Sequence, residues 1–367
     1  MNNPRRLYDC LDHLLATSPN NPLLAGKEGG SWRTWSVREV ADQVTQLASG
    51  LLARGIGPHD HSIEGRDKVA ILAKNRPEWV LIDLAVQRAG AVLVPVYPTV
   101  HVNDLAFVLN DAQVKIVIVN DADLLQKVES VRAQCPSVQA IYSFEPITGT
   151  PHWTELRDSS DTQREQLAAI DQRIDTEDLF TIIYTSGTTG VPKGVMLSHH
   201  NVLSNVLATQ ALLPVNPGSK VLSFLPLNHI FERTVTFIYL FAGVTIYYAE
   251  SLDTLGDNLK EVQPEMFTTV PRLLEKVYER IMAKAGELTG IKKKLFFWAL
   301  RLGEQFDVAK PGSGWYRFQL KLANKLIFSK WREGLGNNIR AVVTGAAACP
   351  ERLIRVFTAG NIPIMEG

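Results

Sequence analysis

The sequence predicts an α/β fold in which helices cover mainly parallel sheets on both faces. Short apolar runs of four to seven residues recur along the 367-residue chain, and this is the length of buried parallel strands. They alternate with longer segments whose apolar residues are spaced by three and four, the period of an amphipathic helix. A hydrophobic content of 46% suffices for one large layered domain or for two or three compact units.

The elements of the first half follow from local signals. Residues 36–39 (SVRE) have the form of a capping box, so a helix begins there, and Gly55 is expected to end it. We expect Asn75 to cap a later helix, with Pro77 in its first turn. The remaining predicted ranges are strands at 68–73, 91–97, 114–119 and 138–144, and helices at 77–90, 102–110 and 121–134.

Residues 145–177 interrupt the alternation, because they are rich in proline, glycine and charge, and we interpret them as a surface excursion with a short helix. The alternation then resumes. Two of the later predicted strands end at 184 and 198, and the others are at 221–225, 244–249, 266–270, 339–345 and 362–365. The later predicted helices are at 200–213, 252–262 and 271–288. We also predict a buried helix before the strand at 244–249, and two helices within 291–335 that are joined near 311–314.

Composition narrows the class of protein. Lys and Arg together number 38, as do Asp and Glu, so the charge distribution does not suggest nucleic-acid binding. Three widely spaced cysteines fit neither a disulfide framework nor a metal site and favour a reducing, cytoplasmic location. The apolar uncharged run 234–249 is shorter than a membrane span. The basic helices within 291–335 are interpreted as a solvated surface, although peripheral contact with an inner membrane surface stays open.

Residues 184–194 (YTSGTTGVPKG) carry the strongest chemical signal. They lie between two apolar runs, so the context is strand, glycine-rich loop, strand. Glycines let backbone N–H groups approach a ligand closely, and consecutive N–H groups can surround an anion. Hydroxyl groups add donors, and Lys193 adds a positive charge. We therefore predict a loop that holds a polyphosphate, in preference to a purely structural turn.

The loop differs from two common phosphate-binding motifs. A Walker A loop has four residues between its glycines and then Gly-Lys-Ser/Thr, and neither Gly187 nor Gly190 has that continuation. A Rossmann fingerprint opens a helix directly, whereas a strand follows here.

Three motifs resemble those of the adenylate-forming (AMP-binding) acyl-CoA synthetases. Residues 185–194 resemble the signature loop of this superfamily, 225–233 (LPLNHIFER) resemble the next motif as found in long-chain fatty-acid–CoA ligases, and 345–348 (GAAA) resemble an adenine-side motif. The resemblance covers nearly the whole chain. It implies a layered αβαβα N-terminal AMP-binding domain at 1–367 with two mainly parallel sheets, whose two subdomains meet near 200–220.

The resemblance also implies a two-step reaction. A carboxylate attacks the α-phosphate of ATP, giving an acyl-adenylate and pyrophosphate, and the thiol of CoA then forms the thioester. Positioned donors and Mg²⁺ would stabilise the charge that develops. By resemblance, the phosphates are held by Thr185, Ser186, Gly187, Thr188, Thr189, Gly190 and Lys193, with Thr185 also positioning Mg²⁺, and adenine and the acyl entrance are lined by Gly345, Ala346 and Ala347.

The histidine of the second motif has two interpretations. By resemblance, the catalytic candidate His229 lies where the acyl pocket meets the phosphates, and the alternative is a core histidine bonded to a backbone group. Glu232 and Arg233 are interpreted as a structural ion pair, and His199 and His200 as residues that start a helix.

The resemblance implies further parts beyond residue 367, because family members continue into a Tyr-Gly-x-Thr-Glu motif, a ribose-binding Asp and a small C-terminal lid domain with a catalytic Lys. We therefore expect this chain alone to bind ATP weakly and to make no acyl-CoA. The leading hypothesis is long-chain fatty acid activation by the full-length protein. An acyl-AMP ligase, an aryl or medium-chain synthetase, and a non-catalytic nucleotide- or lipid-binding fragment are the alternatives.

Overall fold

The computed structural model describes residues 4–60, 62–185, 190–310 and 312–367. The chain forms two compact units. Unit 1 comprises Met1–Leu212 and Pro226–Gly243, and unit 2 comprises Leu213–Leu225 and Val244–Gly367. No helix within the described ranges combines the length and apolar character needed to cross a bilayer.

Unit 1 contains a six-stranded sheet and an antiparallel hairpin, β1–β2, that is not part of this sheet. The sheet has the order β6-β5-β3-β4-β7-β8, and its neighbouring strands are parallel except for β8, which runs antiparallel to β7 at the edge. Every residue of β3 and of β4 is buried, as expected of central strands in a parallel sheet. The strands are Pro22–Glu28 (β1), Ser31–Ser36 (β2), Lys68–Leu72 (β3), Val92–Val96 (β4), Val114–Val119 (β5), Ala140–Ser143 (β6), Leu179–Thr185 (β7) and Lys193–Ser198 (β8).

Helix α2 (Val37–Ala53) begins at its predicted signal. The capping box is present in full: Ser36 accepts the N–H of Glu39, and the Glu39 carboxylate accepts the N–H of Ser36 at 2.7 Å. The helices are Asp9–Thr17 (α1), Val37–Ala53 (α2), Pro77–Arg88 (α3), Val102–Asp111 (α4), Ala122–Arg132 (α5), Asp161–Asp171 (α6), His199–Thr209 (α7) and Ile230–Ala242 (α8), with 3₁₀ turns at Trp153–Leu156 and Gln210–Leu212.

Unit 2 contributes five strands that are all parallel, in the order β13-β12-β11-β9-β10. The prediction of two mainly parallel sheets is therefore confirmed. The strands are Lys220–Ser223 (β9), Thr245–Tyr248 (β10), Met266–Thr269 (β11), Ala341–Thr344 (β12) and Ile364–Glu366 (β13). The helices are Leu255–Val262 (α9), Pro271–Glu287 (α10), Gly290–Glu304 (α11), Gly314–Ala323 (α12), Ser329–Gly334 (α13) and Glu351–Ala359 (α14), with a π-helical turn at Asn324–Phe328 between α12 and α13.

Two predictions about unit 1 are wrong. Arg76, not Asn75, occupies the cap position of α3, and the Asn75 side chain instead accepts the backbone N–H of Leu227 at 3.0 Å. The predicted pair between Glu232 and Arg233 is replaced by one between Arg233 and Asp83. Adjacent residues on a helix do not face each other, so the guanidinium meets a carboxylate on another helix.

This ion pair is almost completely buried. Arg233 and Asp83 are 1% and 2% exposed, and Arg233 Nε donates to Asp83 Oδ2 at 2.8 Å while a second guanidinium nitrogen donates to Oδ1. A third nitrogen donates to Thr181 Oγ1 at 2.6 Å, and Gln87 Nε2 donates to Asp83 Oδ1 at 2.8 Å. The guanidinium also lies 4.6 Å from the centre of the Phe180 ring. The contacts tie α3, α8 and β7 together.

Removing one partner of this pair should destabilise unit 1 strongly. We expect Asp83→Ala to lower the free energy of unfolding by about 3–5 kcal/mol, because it leaves the Arg233 charge buried and uncompensated. Urea denaturation followed by tryptophan fluorescence measures the change. The double variant Asp83→Leu/Arg233→Met should recover most of the loss, since no unpaired charge remains. Lys330→Ala, which breaks an exposed pair with Glu333, is the control and should cost about 0.5 kcal/mol or less. Equal effects in D83A and K330A would contradict the role of the buried pair.

Candidate functional site

The candidate site of unit 1 lies at the carboxyl edge of its parallel sheet. Strands β3, β4 and β7 are neighbours and parallel, so their carboxyl ends meet at one edge. Thr185 is the last residue of β7, and Asn75 follows β3 after a short connection. In open α/β sheets, ligands bind outside the carboxyl ends of the strands. The sheet therefore places the start of the glycine-rich loop at the edge that such folds use for ligands.

The glycine-rich loop leaves β7 and returns along β8. Thr185 and Lys193 are register partners across this antiparallel pair, and both side chains are exposed. Gly190 has φ +83°, with nothing within 4 Å of where a Cβ would be, so the backbone uses the freedom of glycine in open space. The predicted residues Ser186, Gly187, Thr188 and Thr189 lie outside the described residues. The described ends of the loop present a hydroxyl, a cation and a Gly conformation suited to an anion.

The base of the loop is held by contacts of β7 and β8. The Tyr184 hydroxyl donates to Asp111 Oδ2 at 2.5 Å. Burial raises the pKa of the Tyr184 phenol, and this hydrogen bond is the second cause of the increase. A Cβ on Gly194, the register partner of Tyr184, would lie 2.8 Å from Ile182 Cγ2. Only glycine therefore fits at this position without a shift of its neighbour. The strands fix where the loop begins and ends.

Two hydrogen bonds attach the second motif, residues 225–233, to the carboxyl edge of the unit 1 sheet. Asn228 Nδ2 donates to the carbonyl of Val96, the last residue of β4, at 2.6 Å, and Asn75 holds Leu227 as described above. Neither asparagine was predicted in this role. An Asn within a few residues of the end of a parallel strand is the signal that could have indicated it, because such a position lies near the ligand edge.

His229 caps α8 and remains exposed. Its Nδ1 accepts the backbone N–H of Phe231 at 3.2 Å, which fixes the orientation of the ring. The capping bond occupies Nδ1, so Nε2 is the nitrogen that can meet a ligand. The alternative prediction for His229 was a core histidine bonded to a backbone group. The ring does bond to a backbone group, but it lies at the surface and not in the core.

The histidines after the loop, His199 and His200, begin α7, and the first of them is structural. His199 is the first residue of α7, as predicted, and is 2% exposed. Its ring stacks on Phe180 with a centroid distance of 5.5 Å, and Nδ1 accepts the N–H of Leu7. Burial, reinforced by the positive charges of Arg6, Arg66 and Arg233, lowers the pKa of His199 to about 3. This histidine is therefore neutral at physiological pH and serves the core.

The predicted adenine-side residues follow β12 in unit 2. Gly345 is buried, and its N–H donates to the Thr269 carbonyl at 3.3 Å. Ala346 has φ +66°, which is strained for a residue with a Cβ, and both Ala346 and Ala347 are exposed. Such strain is found preferentially at ligand-binding turns. Gly345, Ala346 and Ala347 thus form a tight exposed turn at the carboxyl end of a parallel strand.

No group of three His, Cys, Asp or Glu side chains suited to a metal ion occurs in the described part of the chain. Mg²⁺ in nucleotide sites keeps several waters and is bound largely by the phosphates of the substrate. The exposed Thr185 hydroxyl, at the start of the loop predicted to bind phosphate, fits an ion that arrives with its nucleotide.

The cap formed by His229 can be tested separately from any catalytic role. We expect His229→Ala to lower the free energy of unfolding by about 1 kcal/mol, because an N–H of α8 loses its acceptor. His229→Asn should retain the wild-type value, since asparagine is among the best helix caps and lacks only the exposed ring nitrogen. Thermal unfolding compares the two variants. Equal losses in both would contradict the capping role.

Comparison with known proteins identifies the family. The family model described as AMP-binding enzyme matches residues 11–367. The chain is 31% identical to long-chain-fatty-acid–CoA ligase 5 of Rattus norvegicus over 97% of its length and 33% identical to the Mus musculus protein of the same name. It covers 53% of each, so it spans about half the length of these relatives.

Solved structures of other proteins share the fold of this chain. The adenylation domain of a carboxylate reductase from Mycobacterium chelonae aligns with a TM-score of 0.73 at 20% identity, covering 100% of this chain and 58% of that one. The N-terminal domain of FACL13 from Mycobacterium tuberculosis aligns with a TM-score of 0.68 at 19% identity, covering 99% and 75%. From the family model and the relatives together, the chain belongs to the AMP-binding enzyme family.

Proposed function

We propose that the full-length protein activates a long-chain fatty acid with ATP, through an acyl-adenylate, to an acyl-CoA. The observation that carries this proposal is the meeting of two motifs at one edge of the unit 1 sheet: the exposed Thr185 and Lys193 of the loop and the capped, exposed His229. Relatives more than 30% identical are named long-chain-fatty-acid–CoA ligases, and this supports the choice of acid.

In this proposal the chain's residues act by position and charge. Lys193 and the loop N–H groups neutralise the β- and γ-phosphates, so that pyrophosphate can leave as the acid's carboxylate attacks the α-phosphate. Thr185 orients Mg²⁺, which offsets the negative charge of the phosphates when bound. His229 donates from Nε2 to the carboxylate or the adenylate, and its orientation is fixed by the bond to Phe231.

The remaining assignments are part of the same proposal. Gly345, Ala346 and Ala347 line the adenine and the acyl entrance, since small residues allow close approach of the backbone. The two compact units would be the two subdomains of the AMP-binding domain. The substrates are a fatty acid, ATP and CoA, and the protein acts in the cytoplasm.

Lys193→Ala in the full-length protein tests the phosphate assignment. We expect it to lower kcat/KM for ATP about 100-fold in an assay of pyrophosphate release with palmitate, because one preorganised cation facing the leaving group is lost. The matched control is Lys260→Ala, which removes another exposed lysine and should leave the rate unchanged. His229→Asn should lower kcat while leaving stability intact.

The same assay separates the alternatives. Acids of long, medium and aromatic type are compared with and without CoA. Faster turnover of a medium-chain or aromatic acid, or an acyl-adenylate that is never passed to CoA, would contradict the long-chain CoA ligase assignment. Turnover in K193A within a factor of two of the K260A control would contradict the role of the loop.

A further inference from the structure

A buried polar side chain in the second motif lies directly before His229. Asn228 is 2% exposed, and its Nδ2 donates to the carbonyl of Val96 at 2.6 Å across 132 residues of sequence. Val96 is the last residue of β4, a strand whose residues are all buried. The side-chain amide therefore connects the residue next to His229 to a fixed point at the end of a central strand.

The backbone before His229 is held as well. Asn75 Oδ1 accepts the N–H of Leu227 at 3.0 Å, and the N–H of His229 donates to the Pro226 carbonyl at 3.0 Å, which closes a turn. The Asn75 bond comes from the connection that follows β3, the strand next to β4. The turn at residues 226–229 is thus attached to the carboxyl ends of two neighbouring strands.

The register of the sheet relates this attachment to the glycine-rich loop. Leu93 of β4 is the partner of Thr181 of β7, and the two strands are parallel. Three residues further along both strands, Val96 comes level with the residue that precedes Thr185. Neighbouring strands are about 4.8 Å apart. The carbonyl to which Asn228 bonds is therefore next to the strand end at which the loop starts.

Stability alone does not require an amide at position 228. A buried polar side chain must be hydrogen-bonded to offset its desolvation, so an amide adds little net stability compared with an apolar side chain of similar size. The neighbours Leu225 and Leu227 are apolar and are 9% and 0% exposed. What the amide adds is direction, because a hydrogen bond to one carbonyl admits only a narrow range of geometries. An amide at this place is therefore suited to fixing the position of the residue that follows it.

We propose that Asn228 is a positioning residue for the activation of the acid. Its bond to the end of β4, supported by Asn75, holds the His229 ring at a fixed distance from the glycine-rich loop, so that Nε2 donates to the carboxylate while the loop holds the phosphates. The capping bond between Nδ1 and Phe231 completes this orientation. The inference rests on the proposed function and adds to it the residue that aligns the acid with the α-phosphate.

Pyrophosphate release by the full-length protein, with palmitate and ATP, tests the positioning role. We expect Asn228→Leu to lower kcat about tenfold, because a small displacement of a reacting group is costly in rate. The KM for ATP should stay unchanged, since the strands that hold the ends of the loop are not altered. Asn75→Ala, at a half-buried position, should act in the same direction with a smaller effect, and it keeps the test valid if N228L folds poorly.

A second background shows whether Asn228 acts through His229. In His229→Asn the ring is absent, so adding Asn228→Leu should lower kcat no further. The matched control is Asn338→Leu, which removes an exposed amide that donates to the Gln263 carbonyl at 3.0 Å and should leave kcat unchanged. A purely structural residue would instead change the temperature of unfolding and leave the kcat of the folded protein as in the control.

The proposal is overturned if N228L and N75A keep the kcat of the control, or if N228L lowers kcat as much in the His229→Asn background as in the wild type. Failure of the proposed function has a different signature, since the wild type would then release no pyrophosphate with any acid. The His229 Cε1–H signal in carbon–proton NMR spectra of this chain decides the positioning in that case. It should move in N228L and stay in place in N338L, and a signal that is unmoved in both would overturn the proposal.

Discussion

The buried guanidinium of Arg233 is the constraint on which the candidate site of unit 1 depends. A charge in the interior is costly unless it is paired and its donors are satisfied, so Asp83 and Thr181 must keep their places around it. This fixes α3, α8 and β7 relative to one another. His229 then lies at the N-cap of α8, and Thr185 is the last residue of β7. A contact without catalytic chemistry thereby positions two groups that would touch the nucleotide and the acid.

Buried apolar strands stabilise the fold, and the candidate site residues lie at or near strand ends. The strands β3, β4 and β5 are almost entirely buried and carry stability, whereas Thr185 lies at the end of β7 and Lys193 at the start of β8. Glycine is used where backbone conformation or space requires it, at Gly190 and Gly194. At Ala346 the chain instead tolerates a left-handed residue with a side chain, which costs stability and is explained if that turn serves a ligand.

Local signals were sufficient for most of the fold. The capping box fixed the start of α2, and the Val-rich run at Val114–Val119 is the strand β5 with the predicted bounds. The hairpin β1–β2 was missed, although Gly29 and Gly30, both with positive φ, are the turn residues such hairpins use. One short helix was predicted within 145–177, whereas the structure has two helical segments there, the 3₁₀ turn Trp153–Leu156 and the helix α6.

The type of site could be predicted from the sequence, but the contacts that hold its residues in place could not. Residue types and spacing indicated the phosphate loop, because the chemistry is local. The partner of Arg233 lies 150 residues away, and the contact of Asn75 with Leu227 spans 152 residues. Nothing in a single sequence selects these carboxylate and amide partners from the many available, since only folding brings them together.

The most direct test of the central claim is an amide NMR titration of this chain with ATP and Mg²⁺, compared with adenosine. If the loop grips the polyphosphate, the N–H resonances of Gly190, Lys193 and Gly194 shift with ATP and stay in place with adenosine, whereas those of Ala346 and Ala347 respond to both. Loop resonances that do not move at saturating ATP, or that move equally with adenosine, would contradict the account.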